Sequence, residues 1–201
     1  MVLFILAAAS GTGKGTVGRA LMARNPDLRL SVSHTTRAPR VGEREGVEYH
    51  FTDHDAFRAG IDAGEYVEWA EYVGNLYGTA RKTIEGARQA GHGLLFDIEV
   101  KGAAQIVEAY PDEAVSVFLL PPSWAELADR LRKRGTNDEA DISRRLARGR
   151  EELREARWFD HLVVNDRVER AVDELESIYR SAKTRTAGRL TLLDRLDAEL
   201  S

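Results

Sequence analysis

Residues 2–16 read VLFILAAASGTGKGT, and this stretch gives the clearest indication of the fold. The apolar run at 2–7 is typical of a buried parallel strand, and a helix is predicted from about Lys14 to Arg24. A glycine-rich turn between a strand and a helix indicates a phosphate-binding loop, because its N–H groups and the helix N-terminus face an anion. Lys14 is placed to reach the β- and γ-phosphates. The residues predicted to bind nucleotide phosphates are Ala9, Ser10, Gly11, Thr12, Gly13, Lys14, Gly15 and Thr16.

This loop departs from the pattern GxxxxGK[ST] at two positions. Ala8 stands where the first glycine is usual, and Gly15 follows the lysine in place of Ser or Thr. Without a hydroxyl at position 15, the alternatives for contacting a nucleotide-bound magnesium ion are Thr16 and water. Lys14-Gly15-Thr16 resembles the loop of adenylate kinases, so the loop indicates nucleotide phosphate without identifying the enzyme.

The remainder of the chain alternates strands with helices, which predicts an α/β fold with a parallel sheet covered on both faces. The predicted strands are 28–32, 66–72, 94–98, 114–120 and 162–164, and the predicted helices are 55–63, 80–90, 102–110, 124–134, 139–156 and 168–183. Leu190, Leu193 and Leu196 have helical spacing and predict one more helix. We expect a phosphate-loop core formed by residues 1–32, 80–125 and 158–201. An inserted lobe at 33–79 and a helical lid at 126–157 would lie at the carboxyl edge of the sheet, where ligands bind in such folds.

Composition restricts the function classes. The 201 residues include no cysteine, which excludes disulfides, thiolate metal sites and a cysteine nucleophile. The net charge of −4 argues against a nucleic-acid binder. The apolar run at 2–9 lacks a charged leader segment and is too short to span a membrane. We therefore expect a cytoplasmic protein that binds no nucleic acid or membrane and has no evident obligate protein partner; a homo-oligomer stays open.

Residues 33–51, SHTTRAPRVGEREGVEYHF, carry a second anion site. A kinase that acts on a nucleoside monophosphate needs such a site facing the first. The guanidinium groups of Arg37 and Arg40 fit phosphate oxygens, and the Tyr49 hydroxyl can donate a third hydrogen bond. The stretch matches the guanylate kinase pattern T-[ST]-R-x2-[KR]-x2-[DE]-x2-G-x2-Y-x-[FY] at every fixed position. The chain therefore resembles the guanylate kinase family from about residue 2 to 180. That resemblance implies reversible transfer of the ATP γ-phosphate to GMP with Mg²⁺.

By this resemblance, the lobe at 33–79 binds GMP. Guanine presents two adjacent donors, N1–H and N2–H, and a single carboxylate that accepts both selects guanine over adenine. Glu68, in YVEWAEY, matches the guanine-binding glutamate of the family. Residues 74–79 resemble its G-N-x-Y-G-[ST] turn. The residues implied to bind GMP are Ser33, Arg37, Arg40, Tyr49, Glu68, Tyr77, Thr79, Asp97 and Glu99, and Arg37 is also counted with the catalytic groups.

The metal side and the lid complete the predicted site. Asp97 ends an apolar strand, where a carboxylate commonly orients magnesium, often through water; its alternative role is to cap the following helix. Four apart on one helix, Arg130 and Arg134 share a face, and Arg145 and Arg148 on the next helix converge as well. The resemblance implies that Arg130, Arg134 and Arg145, with Lys14, neutralise the transferring phosphoryl group. It also implies that Asn165 lies near the adenine of ATP.

Two other functions are compatible with parts of the sequence. One is a guanylate-kinase-like binding module without catalysis, and the other is a phosphate-loop kinase with a different acceptor, such as a sugar phosphate. The presence of Lys14 together with Arg37, Arg40 and Glu68 argues against the first, and the guanine-side residues argue against the second.

Overall fold

The computed structural model of the protein describes residues 1–133 and 139–199, so the predicted catalytic residue Arg134 lies outside the described residues. The strands are β1 Leu3–Ala8, β2 Leu28–Leu30, β3 His34–Thr35, β4 His50–Phe51, β5 Tyr66–Tyr72, β6 Asn75–Ala80, β7 Gly93–Asp97, β8 Ala114–Leu120 and β9 His161–Val164. The helices are α1 Lys14–Arg24, α2 His54–Asp62, α3 Arg81–Gln89, α4 Val100–Ala109, α5 Trp124–Lys133, α6 Glu139–Glu155, α7 Val168–Ala182 and α8 Leu190–Glu199.

A parallel sheet with the strand order β2-β7-β1-β8-β9 forms the core. Its central strand β1 is apolar at every position because both faces are covered. Phe4 and Leu6 pack toward α1 and α7. Leu3 and Ile5 pack on the other face, toward α3 and α4. The predicted α/β class and the buried strand at the N-terminus are confirmed. Strands β7 and β2 lie on one side of β1, and strands β8 and β9 lie on the other. Where the strand order reverses in this way, a crevice opens at the carboxyl ends of the strands.

A second, smaller sheet in the order β4-β3-β6-β5 carries the inserted lobe. The interpretation of residues 74–79 as a turn is wrong, because residues 75–80 form β6 and pair antiparallel with β5. The turn itself is confined to Val73 and Gly74, which both have positive φ angles (50° and 73°) and so close a two-residue hairpin. Asp53 caps α2, since its side chain accepts a hydrogen bond from the backbone N–H of Ala56.

Helices α5 and α6 stand over the carboxyl edge of the core sheet. Leu127 and Leu131 of α5 and Ile142 of α6 are buried together with Ala9 of the glycine loop. The base of these two helices therefore packs directly on the loop. At the other end of the described chain, α8 confirms the predicted tail helix and exposes its leucines to solvent. None of the described helices is both long and apolar enough to cross a membrane.

His34 lies in the small sheet where burial opposes its charged form. Its ring is 4.7 Å from the ring of His50 and meets the edge of Tyr66 at 5.6 Å. The Nδ1 atom is buried and has no hydrogen-bond partner among the described residues. Burial, followed by the charges of His50 and Lys82, lowers the pKa of His34 to about 4.

This arrangement predicts that acid weakens the fold through His34. The unfolded chain takes up the proton near pH 6.5, whereas the folded protein resists it down to about pH 4, so stability falls as pH drops through this interval. Replacing His34 with Gln removes that contribution. Between pH 8 and pH 5 the melting temperature of the variant should fall about 2–4 °C less than that of the unmodified protein. Thermal unfolding followed by circular dichroism measures this, and an equal decrease in both proteins would contradict it.

Candidate active site

The loop after β1 curls because two glycines adopt left-handed backbone angles. Gly11 and Gly13 have φ values of 96° and 97°, and Gly13 is the N-cap residue directly before α1. Any side chain there would also collide, since an added Cβ would lie 2.7 Å from Leu131 at position 11 and 2.7 Å from Asn165 at position 13. Both the turn and its close packing therefore require glycine.

This loop forms the floor of a cavity of about 400 Å³, the donor pocket. Arg145 of α6 reaches it from the lid, with Nη1 3.4 Å from the hydroxyl of Ser10. Arg148 lies one turn farther along α6, and Arg19 of α1 also faces the pocket. The sequence-predicted residues that line the donor pocket are Ala9, Ser10, Gly11, Thr12, Gly13, Lys14, Gly15, Thr16 and Arg145.

Two predicted residues lie behind the loop instead of in the pocket. The side-chain amide of Asn165 is buried and donates to the carbonyl of Thr12 at 2.7 Å. Arg130 donates from Nη2 to the carbonyl of Asn165 at 3.0 Å and from Nη1 to that of Thr12 at 3.4 Å. Its Nε also bonds Glu126. Both side chains therefore support the loop from behind.

A second cavity of about 330 Å³, the acceptor pocket, lies between the small sheet and the carboxyl end of β7. Eight of the nine residues predicted to bind GMP line it, and Thr79 lies just behind them. The lining residues among the predictions are Ser33, Arg37, Arg40, Tyr49, Glu68, Tyr77, Asp97 and Glu99.

Arg37 forms an ion pair with Glu43 in the lining of this pocket. Its Nη2 donates to both oxygens of Glu43, at 2.8 and 2.9 Å, and its guanidinium lies 5.3 Å from the centre of the Tyr49 ring. The backbone N–H of Arg40 also donates to Glu43. This bond, and then Arg37, lower the pKa of Glu43. The two arginines are thus arranged around a carboxylate.

Glu68 is the buried carboxylate of the acceptor pocket. Only 4% of the residue is exposed, and Oε1 accepts a hydrogen bond of 2.8 Å from the hydroxyl of Thr79. Its other oxygen lies against the first turn of α4, where a Cβ added to Gly102 would come within 2.6 Å. Burial raises the pKa of Glu68 to about 7, although the Thr79 hydrogen bond acts in the opposite direction. The group therefore lacks the solvation that it would need to ionise fully at neutral pH.

Lys14 and Asp97 meet where the two pockets join. Lys14 Nζ is 2.6 Å from Asp97 and donates to the carbonyl of Ile98 at 3.0 Å. The space above Gly15 opens toward the same carboxylate, because a Cβ there would lie 3.8 Å from Asp97 Oδ2. Thr16 is exposed on the donor side. No group of three or more His, Cys, Asp or Glu side chains suited to a metal occurs in the described part of the chain.

The two pockets share part of their lining, which sequence reasoning did not foresee. Lys14, Tyr72 and Glu99 face both cavities. Arg148 and Glu152 of α6 line the donor pocket beside them. The spacing of Arg145 and Arg148 predicted that they converge, but the contacts of Arg148 with Tyr72 and Glu99 depend on residues distant in sequence. Gly102 likewise gave no local signal of its role beside Glu68.

Comparison with characterised families agrees with this geometry. The profile of the family "Guanylate kinase" matches residues 1–182. Among curated relatives, the guanylate kinase of Geobacter metallireducens is 45% identical over 197 residues, covering 98% of this chain and 97% of the relative. That of Synechococcus sp. is 49% identical, covering 87% and 93%. The crystal structure of guanylate kinase from Anaplasma phagocytophilum superimposes with a TM-score of 0.78 at 31% identity, covering 99% of this chain and 95% of that one.

Sequence, fold and site lead to the same assignment. The acceptor motif at 33–51 lines one pocket, and the glycine loop lines the pocket that adjoins it. The family profile covers both, together with the core sheet between them. With relatives at 45–49% identity over most of its length, this chain belongs to the guanylate kinase family.

Proposed function

We propose that this protein is a guanylate kinase, which transfers the γ-phosphate of ATP to GMP and gives ADP and GDP. The observation that carries the proposal is the buried carboxylate of Glu68 in a pocket that adjoins the phosphate loop. A carboxylate in that position can accept from both donors of guanine, and it would present a lone pair to N1 of adenine. Membership of the guanylate kinase family supports the same reaction.

The reaction needs positioning and charge neutralisation more than acid–base chemistry. The acceptor is a phosphate oxygen of GMP that is already largely anionic at neutral pH, so no general base is required. Arg37, Arg40 and the hydroxyls of Tyr49 and Tyr77 hold that phosphate in line with the donor. On the donor side, Lys14 and Arg145 neutralise the transferring group, with Arg130 and Arg134 as further candidates.

Binding of the GMP phosphate and of the ATP phosphates changes the partners of two cations in the site. The GMP phosphate replaces Glu43 as the partner of Arg37, with which Glu43 forms an ion pair of 2.8 Å in the structure. The ATP phosphates take Lys14 from Asp97, a pair that is 2.6 Å apart. Because charge-assisted bonds to phosphate are strong, each exchange replaces an internal ion pair by a bond to substrate. The carboxylate of Asp97 is then free for other ligands.

The residues beside the glycine loop fit Mg²⁺, the cofactor that the family implies. Mg²⁺ prefers oxygen ligands, keeps several waters and binds through one or two protein groups together with phosphates. Asp97 and Thr16 offer such oxygens, with Asp97 acting directly or through water. When bound, Mg²⁺ neutralises charge on the phosphate oxygens.

Water must be kept from attacking ATP, and the inserted segments are suited to exclude it. We infer that the lobe at 33–79 and the lid at 126–157 close over the substrates against the core formed by 1–32, 80–125 and 158–201. Such an enzyme serves purine nucleotide metabolism and GMP recycling, and we propose the cytoplasm as its location.

The acceptor assay tests the proposed function directly. ADP release from ATP is followed with GMP, AMP, UMP or ribose 5-phosphate as acceptor. We expect GMP to exceed the other acceptors in kcat/KM by about a hundredfold or more, because a mismatched base leaves the buried Glu68 without its hydrogen bonds. Preference for a sugar phosphate would indicate a different kinase, and no turnover with any acceptor would indicate a binding module.

Replacing Glu68 with Gln tests the base-reading role. The amide presents N–H groups to the donors of guanine, so we expect kcat/KM for GMP to fall by about a hundredfold while ATP binding is retained. Between pH 8 and 6.5, GMP affinity of the unmodified protein should fall about fourfold through Glu68, because its ionised fraction decreases below a pKa of about 7. The variant should lose that part of the pH dependence.

The matched control for this variant is Glu71→Gln, on the same strand but exposed. It should keep both the GMP affinity and its pH dependence. Calorimetric titration of GMP at the two pH values gives both quantities. Intact GMP turnover in the Glu68 variant would show that another group reads the base.

Gly15→Ser tests how magnesium is held. The added Cβ meets Arg19 at 3.5 Å and Asp97 at 3.8 Å, both ordinary contacts, and its hydroxyl would supply an oxygen beside Asp97. We expect the Mg²⁺ concentration needed for half-maximal affinity of a non-hydrolysable ATP analogue to fall about two- to tenfold. Gly15→Ala, which adds the Cβ without the hydroxyl, should leave it unchanged. Identical behaviour of the two variants in calorimetric titrations would contradict this role.

A further inference from the structure

The wall between the donor and acceptor pockets contains two cation–carboxylate pairs. Lys14 with Asp97 forms one, and Arg148 with Glu99 forms the other, with Nη2 2.5 Å from Oε2. Tyr72 lies beside the second pair and faces both pockets. Direct transfer of a phosphoryl group from one pocket to the other requires this wall to open. The first pair contains the lysine of the phosphate loop, whereas the second was not anticipated.

Arg148 connects three parts of the molecule. It projects from α6 of the lid, its guanidinium carbon lies 4.3 Å from the ring centre of Tyr72 in the small sheet, and it pairs with Glu99 between β7 and α4 of the core. Its Nε donates to Glu152, one turn along α6, at 3.1 Å. Arg148 also lines the donor pocket, so a bound polyphosphate would lie within its reach.

The two carboxylates that bond Arg148, those of Glu99 and Glu152, differ in their exposure to solvent. The side chain of Glu99 is 45% exposed, and a pair so open to solvent is weak. That of Glu152 is only 15% exposed and belongs to the same helix. The bond to Glu152 can therefore persist while the Nη2 end turns away from Glu99. Phosphate oxygens carry more charge than one carboxylate and accept two guanidinium bonds at once.

We propose that Arg148, which pairs with Glu99 in this structure, is a ligand of the donor phosphates. Binding of ATP draws Nη2 from Glu99 to the phosphates, with Nε remaining on Glu152. This movement removes one pair from the wall and releases Glu99 toward the acceptor pocket. The proposal rests on the donor half of the function proposed above, the binding of a nucleoside triphosphate at the glycine loop, and is independent of the acceptor.

A double-mutant cycle distinguishes this role from that of a structural ion pair. Kd for a non-hydrolysable ATP analogue with Mg²⁺ is measured by calorimetry for the unmodified protein, Arg148→Ala, Glu99→Gln and the double variant. Arg148→Ala should weaken binding about tenfold, since a phosphate contact is lost. Glu99→Gln should tighten it about two- to fivefold, because Arg148 no longer has to leave a carboxylate. In the Arg148→Ala background, Glu99→Gln should have no effect.

The opposite effects of Arg148→Ala and Glu99→Gln on Kd distinguish a phosphate ligand from a structural ion pair. A pair that only stabilises the fold would weaken binding when broken from either side. Simple repulsion between Glu99 and the phosphates would give the same tightening whether or not Arg148 is present. Either result, or an unchanged Kd in Arg148→Ala, would overturn the proposal. Thermal melting establishes that each variant is folded at the temperature of the titration.

Arg144→Ala is the matched control, since it removes the same charge from the same helix. Arg144 bonds Asp141 within α6 and is not among the residues that line the two pockets. Its Kd for the analogue should equal that of the unmodified protein, and a tenfold loss there would attribute the effect to the net charge of the lid. The expected signs together with a failed GMP assay would overturn only the proposed acceptor. Failure of the unmodified protein to bind the analogue would overturn both proposals.

Discussion

The carbonyl group of Thr12 is the constraint on which the site depends. A loop that turns its N–H groups toward an anion must turn carbonyls inward, and a buried carbonyl requires a donor. Asn165, from the end of β9, supplies one at 2.7 Å, and Arg130 of α5 supplies a longer one. These contacts therefore connect the loop after β1 to the end of β9 and to helix α5. The same contact requires glycine at position 13.

Internal ion pairs neutralise several of the cations that line the two pockets. Unpaired cations in the two pockets would repel one another and weaken the fold. Lys14, Arg37 and Arg148 each pair with a carboxylate of the same chain. These pairs are partly exposed and so contribute little stability in themselves. The pairs hold the cations in position but can be exchanged. In the proposed function, substrate phosphates therefore replace the carboxylates as partners of these cations.

Local sequence patterns predicted the parts of the structure that depend on neighbours in the chain. The run at 2–7 and the glycines after it determined β1, the loop and α1, and the spacing within 33–51 assembled one side of the acceptor pocket. The wrong turn at 74–79 shows the limit, because its glycine and asparagine suit a turn but pairing with β5 makes a strand. Asn165 and Thr12 are 153 positions apart, and the contacts of Arg148 cross three elements. No local pattern records such distances.

In the function proposed above, the recognition of guanine by Glu68 conflicts with the stability of the fold. A solvated carboxylate could exchange water for either purine at a small cost in free energy. Discrimination between the bases therefore requires a carboxylate that is shielded from water. Packing against Gly102 excludes water and raises its pKa to about 7. Because the folded pKa lies above the unfolded value of 4.5, ionising Glu68 as pH rises costs on the order of 3 kcal/mol of folding free energy. Thr79 offsets part of that cost with one hydrogen bond. In the proposed function the two donors of guanine offset more of that cost, and this gain contributes to the affinity for GMP.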